Sequence, residues 1–250
     1  MKSLFIGVLA LLLTQQVFAQ ASFEFTAGYT PGFSAVLNNQ DFNDNGKEYH
    51  AVNYGSHSGI TVGVNFTEQL GLATGVGMSF INQHFSYDYT LNDSPQRYNS
   101  QRSLAYLRIP VLFRVGGDAS APVSFFLRFG PHLDILTSAK STYTNLGTVI
   151  HLQDNVINYL DQKDDRGETE EVYKSAVLGA TLEVGGRFKL NDKMGLLLLF
   201  HVNSSLTNPE GADAVGYLHS AFLGGGPSYR DPSWNAMLGA NISFQYTIGS

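Results

Sequence analysis

The segment YLRIPVLFRV (106–115) places two arginines and a proline inside an otherwise apolar run. Alternate residues fall into two sets, because successive side chains of a β-strand point to opposite faces. One set is entirely apolar: Leu107, Ile109, Val111, Phe113 and Val115. The other set holds both arginines: Tyr106, Arg108, Pro110, Leu112 and Arg114. The pattern predicts a strand with one apolar face, and a bulge or local kink at Pro110, which has no N–H for the ladder.

The same alternation recurs along the chain and predicts eight strands. They cover residues 22–30, 59–67, 70–87, 102–115, 123–135, 176–188, 194–206 and 234–248. The connections alternate between short turns (67–70, 116–122, 191–193) and long polar segments (31–57, 88–101, 138–172, 207–232). An even strand number with alternating connections is typical of outer-membrane barrels. The sequence therefore predicts an all-β protein, an eight-stranded antiparallel up-and-down transmembrane β-barrel with three short periplasmic turns and four long extracellular loops.

The N-terminus has the features of an export signal. Lys2 precedes the apolar run LFIGVLALLL (4–13), and small residues follow at Ala19 and Ala21. The run is too short to span a membrane as a helix, which needs about 20 apolar residues. We predict a signal peptide over 1–19, cleaved after Ala19 or Ala21, and a barrel over 20–250. The expected location is the outer membrane of a Gram-negative bacterium.

The composition excludes several classes of function. The 250 residues carry a net charge of -6, only 14% of them are charged, and cysteine is absent. Nucleic-acid binding needs a basic patch, so no nucleic-acid partner is expected. The absence of cysteine rules out disulfides and thiolate metal sites. We predict no cofactor.

Alternation alone does not say whether the apolar face points to lipid or to a core. A soluble exported barrel, such as a lipocalin-like carrier, remains the alternative. The polar face is rich in Gly, Ser, Thr and Asn rather than Lys and Glu, which favours the lipid-facing arrangement. Aromatic residues also fall near the predicted periplasmic strand ends: Phe66, Phe113, Phe125, Phe188, Phe244 and Tyr246. Candidates for an opposite aromatic belt are Tyr29, Phe80 and Trp234.

Eight polar residues are expected to project into the lumen: Glu24, Arg108, Arg114, Arg128, His132, Asp134, Glu183 and Arg187. An eight-stranded barrel is just wide enough for side chains to fill it, and buried charges need partners. We interpret the set as a structural network that plugs the lumen. A narrow conducting or binding lumen is the alternative.

Segment 151–171 carries seven acidic residues against Lys163 and Arg166. Its carboxylates are candidates for a weak Ca²⁺ or Mg²⁺ site, or for bridging lipopolysaccharide phosphates through such ions. The segment lacks the regular spacing of a dedicated calcium loop, so a solvated acidic loop is the simpler interpretation. The candidate residues are Asp161, Asp164, Asp165 and Glu168.

No catalytic constellation emerges from the sequence. His50, His57, His151 and His219 fall in predicted loops or near strand tops, and their spacing matches no catalytic signature. We therefore predict a protein that is not an enzyme and has no catalytic residues.

Several motifs resemble the Bacteroidetes outer-membrane β-barrel family often labelled PorT-like. They are FAQ (18–20), GYTPGFS (28–34), YLRIPVLFRV (106–115), FFLRFGPHLDIL (125–136) and GANISFQYTI (239–248). Tyr106, Leu107, Ile109 and Pro110 match the family's Tyr-Leu-x-Ile-Pro motif. Gly130 and Pro131 match its Gly-Pro motif.

The resemblance implies an eight-stranded outer-membrane barrel, but fold analogy does not transfer function. We expect a non-enzymatic structural or partner-binding barrel, with a secretion-system accessory role as one form of it. Expected partners are outer-membrane lipid and lipopolysaccharide, and a protein bound through the extracellular loops. The alternatives are a small pore or carrier for a small or hydrophobic solute, and a lipid-modifying outer-membrane enzyme.

Overall fold

The computed structural model describes residues 22–38, 48–51, 53–91, 94–118, 120–145, 148–154, 173–211 and 232–249. The predicted signal peptide lies outside these residues. The strands are β1 (Ser22–Asn38), β2 (Glu48–Ala51), β3 (Asn53–Asn65), β4 (Leu70–Leu91), β5 (Ser94–Gly116), β6 (Val123–Asn145), β7 (Thr148–Asp154), β8 (Ala176–Lys189), β9 (Met194–Ser205) and β10 (Ser233–Ile248). Among the described residues, no helix has the length and hydropathy to cross a membrane.

Eight of the strands close into one antiparallel barrel. The order around the barrel is β4-β3-β1-β10-β9-β8-β6-β5, and β5 pairs again with β4. The two remaining strands are short: β2 pairs with β4, and β7 pairs with β6 at 140–145. Because the order is closed, each of the eight main strands is paired on both sides within the barrel wall and has no free edge there. The predicted eight-stranded antiparallel barrel is confirmed.

Side chains alternate between the two faces of the barrel wall, as the segment 106–115 predicts. On β5, Val111 and Phe113 are 42% and 53% exposed, whereas Arg108 and Arg114 on the same strand are 2% and 6% exposed. The apolar set is thus the outer surface and the arginines lie inside. The predicted aromatic residues at the turn end are all exposed: Phe66, Phe113, Phe125, Phe188, Phe244 and Tyr246.

The strand boundaries need correction at the end opposite the short turns. Residues 31–38, 48–51, 53–57, 88–91, 94–101, 138–145 and 148–154 lie in predicted loops and are strand. The reason is a change of the outer face from apolar to polar. On β4 the outward residues are largely apolar from Leu70 to Phe80, and the next outward residue is Asn82. Where both faces are polar, the alternation that predicts a strand disappears.

The length of the apolar outer face matches a bilayer. Leu70 to Phe80 of β4 fits the roughly 9–11 residues that a tilted strand needs to cross the hydrocarbon core. Above it, residues 82–91 of β4, 94–103 of β5 and 138–145 of β6 continue as paired strands. We call this part the polar extension. Its described outward side chains include Asn82, Gln101, Ser103 and Lys140.

Besides Pro95 in the polar extension of β5, three prolines lie within the barrel strands, and each of the three interrupts pairing on one side only. In the described strands, Pro110 pairs with β6 but not with β4, and Pro131 pairs with β8 but not with β5. Pro31 pairs with β3 but not with β10. A proline has no N–H to donate, so it loses the ladder on one side and keeps it on the other.

The ladder is therefore interrupted at Pro110 as predicted, but the register does not shift there. The bulge lies at Ala105–Tyr106, where Thr137 of β6 is the extra residue. The Thr137 hydroxyl donates to the carbonyl oxygen of Ala105 at 3.0 Å. The bulge brings both Leu136 and Ala139 of β6 to the interior apolar layer near the loop end.

Candidate functional site in the barrel interior

The interior is built from two different walls. Strands β1, β3, β4 and β10 form what we call the small-residue wall. Its inward residues include Thr26, Gly28, Gly59, Thr61, Gly63, Ala73, Gly77 and Ser243. Strands β5, β6, β8 and β9 form the charged wall. Its inward residues include Arg108, Arg114, Arg128, His132, Asp134, Glu183, Arg187 and His201.

The first ion pair in the charged wall joins β5 and β6. Arg108 Nε donates to Asp134 Oδ1 at 2.7 Å, and Nη2 donates to Oδ2 at 2.8 Å. The two residues face each other across the ladder, so the guanidinium meets the carboxylate in the two-pronged geometry that suits both. His132 Nε2 lies 3.4 Å from Asp134 Oδ2, and its Nδ1 lies 2.8 Å from Thr181 Oγ1.

A second ion pair joins β6 and β8 in the middle of the interior. Arg128 Nε donates to Glu183 Oε2 at 2.7 Å, and the other carboxylate oxygen lies 2.9 Å from His201 Nδ1. Asn203 Nδ2 lies 2.7 Å from His201 Nε2. Both oxygens of Glu183 thus have a partner within the charged wall.

A third group closes the interior near the short turns and crosses between the walls. Arg114 Nε lies 3.2 Å from Glu24 Oε2, and Arg114 Nη1 donates to Asn65 Oδ1 at 2.8 Å. Arg187 Nε donates to Gln245 Oε1 at 2.6 Å. Three strands of the small-residue wall, β1, β3 and β10, thereby supply acceptors to arginines of the charged wall.

Apolar layers lie above and below these ion pairs. Near the short turns, Phe126 packs with Leu197 and Leu199. The guanidinium carbons of Arg114 and Arg128 stand 5.2 and 5.7 Å from the centre of the Phe126 ring, within cation–π range. The larger layer is at the loop end and consists of Val36, Ile81, Leu104, Tyr106, Ala139, Tyr173 and Val177.

The loop-end layer is topped by a further polar group. Arg102 Nη1 donates to Glu210 Oε1 at 3.0 Å, and the Ser233 hydroxyl bonds to the other oxygen of Glu210. Below it, Asn235 Nδ2 donates to the Tyr106 hydroxyl at 3.1 Å. Glu210 is buried, although it follows β9 in a segment that was predicted as loop.

A cavity of about 40 Å³ lies where the two walls face each other at mid-height. Gly28, Gly59 and Gly77 line it from one side, and Arg108, Arg128, Thr181, Glu183 and His201 line it from the other. The His57 ring also lines the cavity, stacked on His201 with centroids 5.9 Å apart and planes at 15°. A Cβ on Gly77 would lie 2.7 Å from His57 Cε1, so glycine makes the room for this ring.

All eight residues predicted for the lumen lie in the interior and are at most 6% exposed. Six of them form three ion pairs. Of the other two, Arg187 bonds to Gln245 and His132 bonds to Thr181. His201, Asn203 and Asn65 also point into the interior but are absent from the predicted set, although the alternation within their strands places them on the inner face. The interior leucines of β9 are absent from it because LLLL (196–199) is apolar on both faces.

Two further predictions have different outcomes. His57 was predicted near a strand top or in a loop, and instead it lies within β3 and points into the interior. The acidic candidates Asp161, Asp164, Asp165 and Glu168 lie outside the described residues. Within the described part of the chain, no group of three or more His, Asp or Glu side chains is arranged to hold a metal ion.

A closed eight-stranded barrel with an apolar outer belt about one bilayer wide and a polar, ion-paired interior defines a small outer-membrane β-barrel protein. The short turns then face the periplasm and the polar extension faces the outside of the cell. A model of the outer membrane protein β-barrel domain family matches residues 18–209, which is most of the chain. The chain belongs to that family.

Three solved structures among those that match this chain do so at low sequence identity. Neisserial surface protein A has 11% identity and a TM-score of 0.39, over 89% of this chain and 97% of that one. OprG from Pseudomonas aeruginosa has 13% identity and a TM-score of 0.34, over 92% and 97%. Ail of Yersinia pestis has 9% identity and a TM-score of 0.33, over 91% and 99%. Scores this low carry no argument about function. Among curated proteins there is no significant match.

Proposed function

We propose that this protein is a non-enzymatic outer-membrane barrel of the PorT-like type, exported by a cleaved signal peptide. Its lumen is filled by side chains, and its partner binds on the extracellular side. The partner is a protein, and lipid and lipopolysaccharide surround the barrel. An accessory role in secretion is one form of this function.

The filled interior is the observation that carries the proposal. Among the described residues, four buried arginine–carboxylate pairs and two apolar layers occupy the lumen along its length. A conducting pore needs a continuous polar path, whereas the loop-end layer places Ile81, Leu104 and Tyr106 across it, each at most 1% exposed. Separating a buried ion pair to open such a path costs several kcal/mol, of the order of 3–5. The interior therefore supports a structural plug better than a pore or carrier.

The polar extension supports binding outside the membrane. Paired strands β4, β5 and β6 continue past the lipid belt, and β2 and β7 add to the same sheet. Outward residues Gln101, Ser103 and Lys140 are exposed there. Ordered strands held by ladder hydrogen bonds give a partner a rigid surface, which lowers the entropic cost of binding.

The resemblance motifs have a physical role at one place in the wall. Gly130 lies where β5 approaches β6 closely. A Cβ at this position would stand 2.1 Å from the carbonyl oxygen of Val111, so the close approach requires glycine. The Ile-Pro and Gly-Pro motifs thus meet across the β5–β6 ladder. The position of His57 inside the barrel, away from the lipid surface, supports a role other than lipid modification.

The test combines photo-crosslinking with conductance. A crosslinking amino acid placed at Gln101 or Ser103 is expected to capture a discrete protein in intact cells. The same residue at Val111, on the lipid face of β5, is the matched control and is expected to capture lipid only. Purified barrel in planar bilayers is expected to show no stable openings. Stable conductance together with no capture at Gln101 and Ser103 would replace this proposal by the pore.

A further inference from the structure

The lipid-facing surface of the barrel carries a few hydroxyl side chains among its apolar residues. Two of them bond to the backbone of their own barrel. Thr74 donates to the carbonyl oxygen of Pro110 at 2.8 Å, and Ser204 donates to that of Ser205 at 3.2 Å. A hydroxyl that is satisfied in this way can face hydrocarbon, where no water is present to bond it.

Three other outward hydroxyls lack such a bond. They belong to Tyr29 of β1 and to Ser56 and Ser58 of β3, and none of them makes a side-chain hydrogen bond within the described part of the chain. Tyr29 and Ser58 face each other across the β1–β3 ladder, and Ser56 is the next outward residue on β3. The Tyr29 side chain is 52% exposed, and Ser58 is also exposed. We call these three residues the hydroxyl patch.

The hydroxyl patch lies within the apolar belt rather than at its rim. Tyr29 is six residues above Phe23 on β1, which corresponds to a rise of about 15 Å for a strand tilted by about 40°. The apolar band of such a barrel is about 25 Å tall, so this depth is inside the hydrocarbon. Because β1 continues to Asn38, Tyr29 does not lie at the loop-end belt for which it was a candidate. Tyrosine hydroxyls normally lie at the headgroups, where water bonds them.

The side chains next to the hydroxyl patch allow a second surface to approach closely. The outward neighbours of Tyr29 on β1 are Ala27 and Pro31, which are short. Above them, the larger rings of Phe33 and Tyr54 lie against each other with their centroids 5.7 Å apart. Small side chains that permit close packing, together with polar groups that bond across the contact, are what hold membrane-spanning segments together in lipid.

The chemistry of the hydroxyl patch selects a second copy of the same chain. A hydroxyl both donates and accepts, so a set of hydroxyls is complementary to itself about a twofold axis. Acyl chains at this depth offer neither a donor nor an acceptor. A charged partner group would have to be placed in the hydrocarbon, which is costly.

We propose that the hydroxyl patch is the interface of a homodimer in the membrane. Two barrels pack side by side through β1 and β3, and the hydroxyls of one barrel bond to those of the other. The interface lies in the lipid belt, so this inference goes beyond the partner binding proposed for the extracellular side and does not depend on it.

The outer surface offers a matched pair of double variants for the test. Y29F/S58A removes one phenol and one serine hydroxyl from the hydroxyl patch. Y246F/S204A removes the same two groups from β10 and β9, outside the patch. Both variants make the lipid face slightly more apolar, so both are expected to insert and fold.

The first measurement compares self-association in lipid vesicles. The chain has no cysteine, so Lys193→Cys in the exposed β8–β9 turn gives one site for a donor or an acceptor dye. On dilution with lipid, wild-type barrels are expected to show more energy transfer than randomly distributed barrels. The protein-to-lipid ratio at half association is expected to rise about tenfold or more in Y29F/S58A, because each substitution acts twice in a twofold dimer. In Y246F/S204A it is expected to stay unchanged.

Two results of this measurement would overturn the homodimer. Transfer in the wild type no greater than that of randomly distributed barrels would show that the hydroxyl patch does not bind a second copy. Equal shifts in the two double variants would show that the loss of any outward hydroxyl matters, and not the patch.

The second measurement locates the interface. Ala27→Cys places a thiol beside the hydroxyl patch, and Ala180→Cys places one on the lipid face of β8, three strands away around the ring. Oxidation with copper phenanthroline in vesicles is expected to give disulfide-linked dimers through position 27 and not through position 180. Dimers that form equally fast at both positions, or at neither, would contradict the interface.

Discussion

The two walls of the barrel fill the interior with different kinds of side chain. The charged wall contributes the arginines of the three ion pairs below the loop-end layer, and the facing strands contribute mostly glycine, threonine and serine. Both walls show the same apolar lipid face outside. The difference is therefore confined to the inside, where long side chains from one half need small residues on the other half to receive them.

This division explains why the charges are tolerated. Each guanidinium finds its carboxylate on the same wall or an acceptor across the lumen, and the Phe126 ring packs against the guanidinium groups of Arg114 and Arg128. Ion pairs in such a site contribute less to net stability than their geometry suggests, because both ions have lost water. They do make the stability of the barrel sensitive to single substitutions, because removing one partner leaves the other charge buried and uncompensated.

The largest predicted effect is therefore on the charged wall, at Glu183. Glu183→Gln leaves Arg128 without a carboxylate and is expected to lower the free energy of unfolding by about 3–5 kcal/mol. Urea unfolding of the barrel in lipid vesicles, followed by the emission of the single tryptophan Trp234, measures this change. The double variant R128Q/E183Q is expected to recover most of the loss. Equal losses in the single and double variants would show that the charge imbalance is not the cause.

The second effect is predicted on the small-residue wall, at Gly77. A Cβ there would lie 2.5 Å from the carbonyl oxygen of Ser58 and 2.7 Å from His57. Gly77→Ala is expected to cost about 1–3 kcal/mol by overpacking, measured by the same urea titration.

Gly63 is the matched control for that substitution. It lies on β3 of the same wall, but its nearest contacts are at 3.3 Å, to the side chain of Ala73 and the carbonyl oxygen of Leu72. Gly63→Ala is expected to be near neutral, because the loss of chain entropy in the unfolded state offsets the tight contact. If both glycine variants lost the same stability, the room around His57 would not be what glycine provides at position 77.

The two walls were not equally predictable from the sequence. Arginines inside an alternating apolar run reveal both the strand and its inner face, so the charged wall was predicted residue by residue through Arg108, Arg114 and Arg128. A glycine on a strand has no side chain, so its residue type indicates neither the face on which it lies nor the residue that it contacts. That Gly77 makes room for His57 depends on the closure of β3 against β4, which is a long-range contact that no local pattern contains.

The strand ends were also hard to predict, for a physical reason. Asn82 and Ser103 bond to each other on the outer face where the lipid belt stops. Beyond that pair, outward side chains meet water, as polar side chains in a loop also do. Only the backbone pairing distinguishes strand from loop there, and pairing is not visible in composition.

A third and smaller effect is predicted at the seam between the walls, where β4 meets β5. The Thr74 hydroxyl donates to the carbonyl oxygen of Pro110 at 2.8 Å, at the interruption of the ladder. Thr74→Val keeps the shape and removes this bond, so the free energy of unfolding is expected to fall by about 0.5–1.5 kcal/mol. Thr74→Ser retains the donor and serves as the control. A serine variant as unstable as the valine variant would show that the methyl group, rather than the hydroxyl, is what matters.

The smallest effect is predicted for an ion pair outside both walls. Lys189 Nζ lies 2.9 Å from Asp192 Oδ1 in the short turn between β8 and β9, where the aspartate side chain is 95% exposed. The hydrogen bond from Lys189 lowers the pKa of Asp192 below its ordinary value. Because this pKa is lowered in the folded state, the ion pair stabilises the fold at pH values above the unfolded-state pKa. That stabilisation is lost as the pH falls through the folded-state pKa.

In water this contribution is screened, so Asp192→Asn is expected to leave the urea midpoint unchanged at pH 7, in low salt and in 1 M salt alike. The same carboxylate-to-amide change is thus expected to be severe at Glu183 and silent at Asp192. A clear drop at Asp192 would mean that burial in the lumen is not what makes the interior ion pairs sensitive.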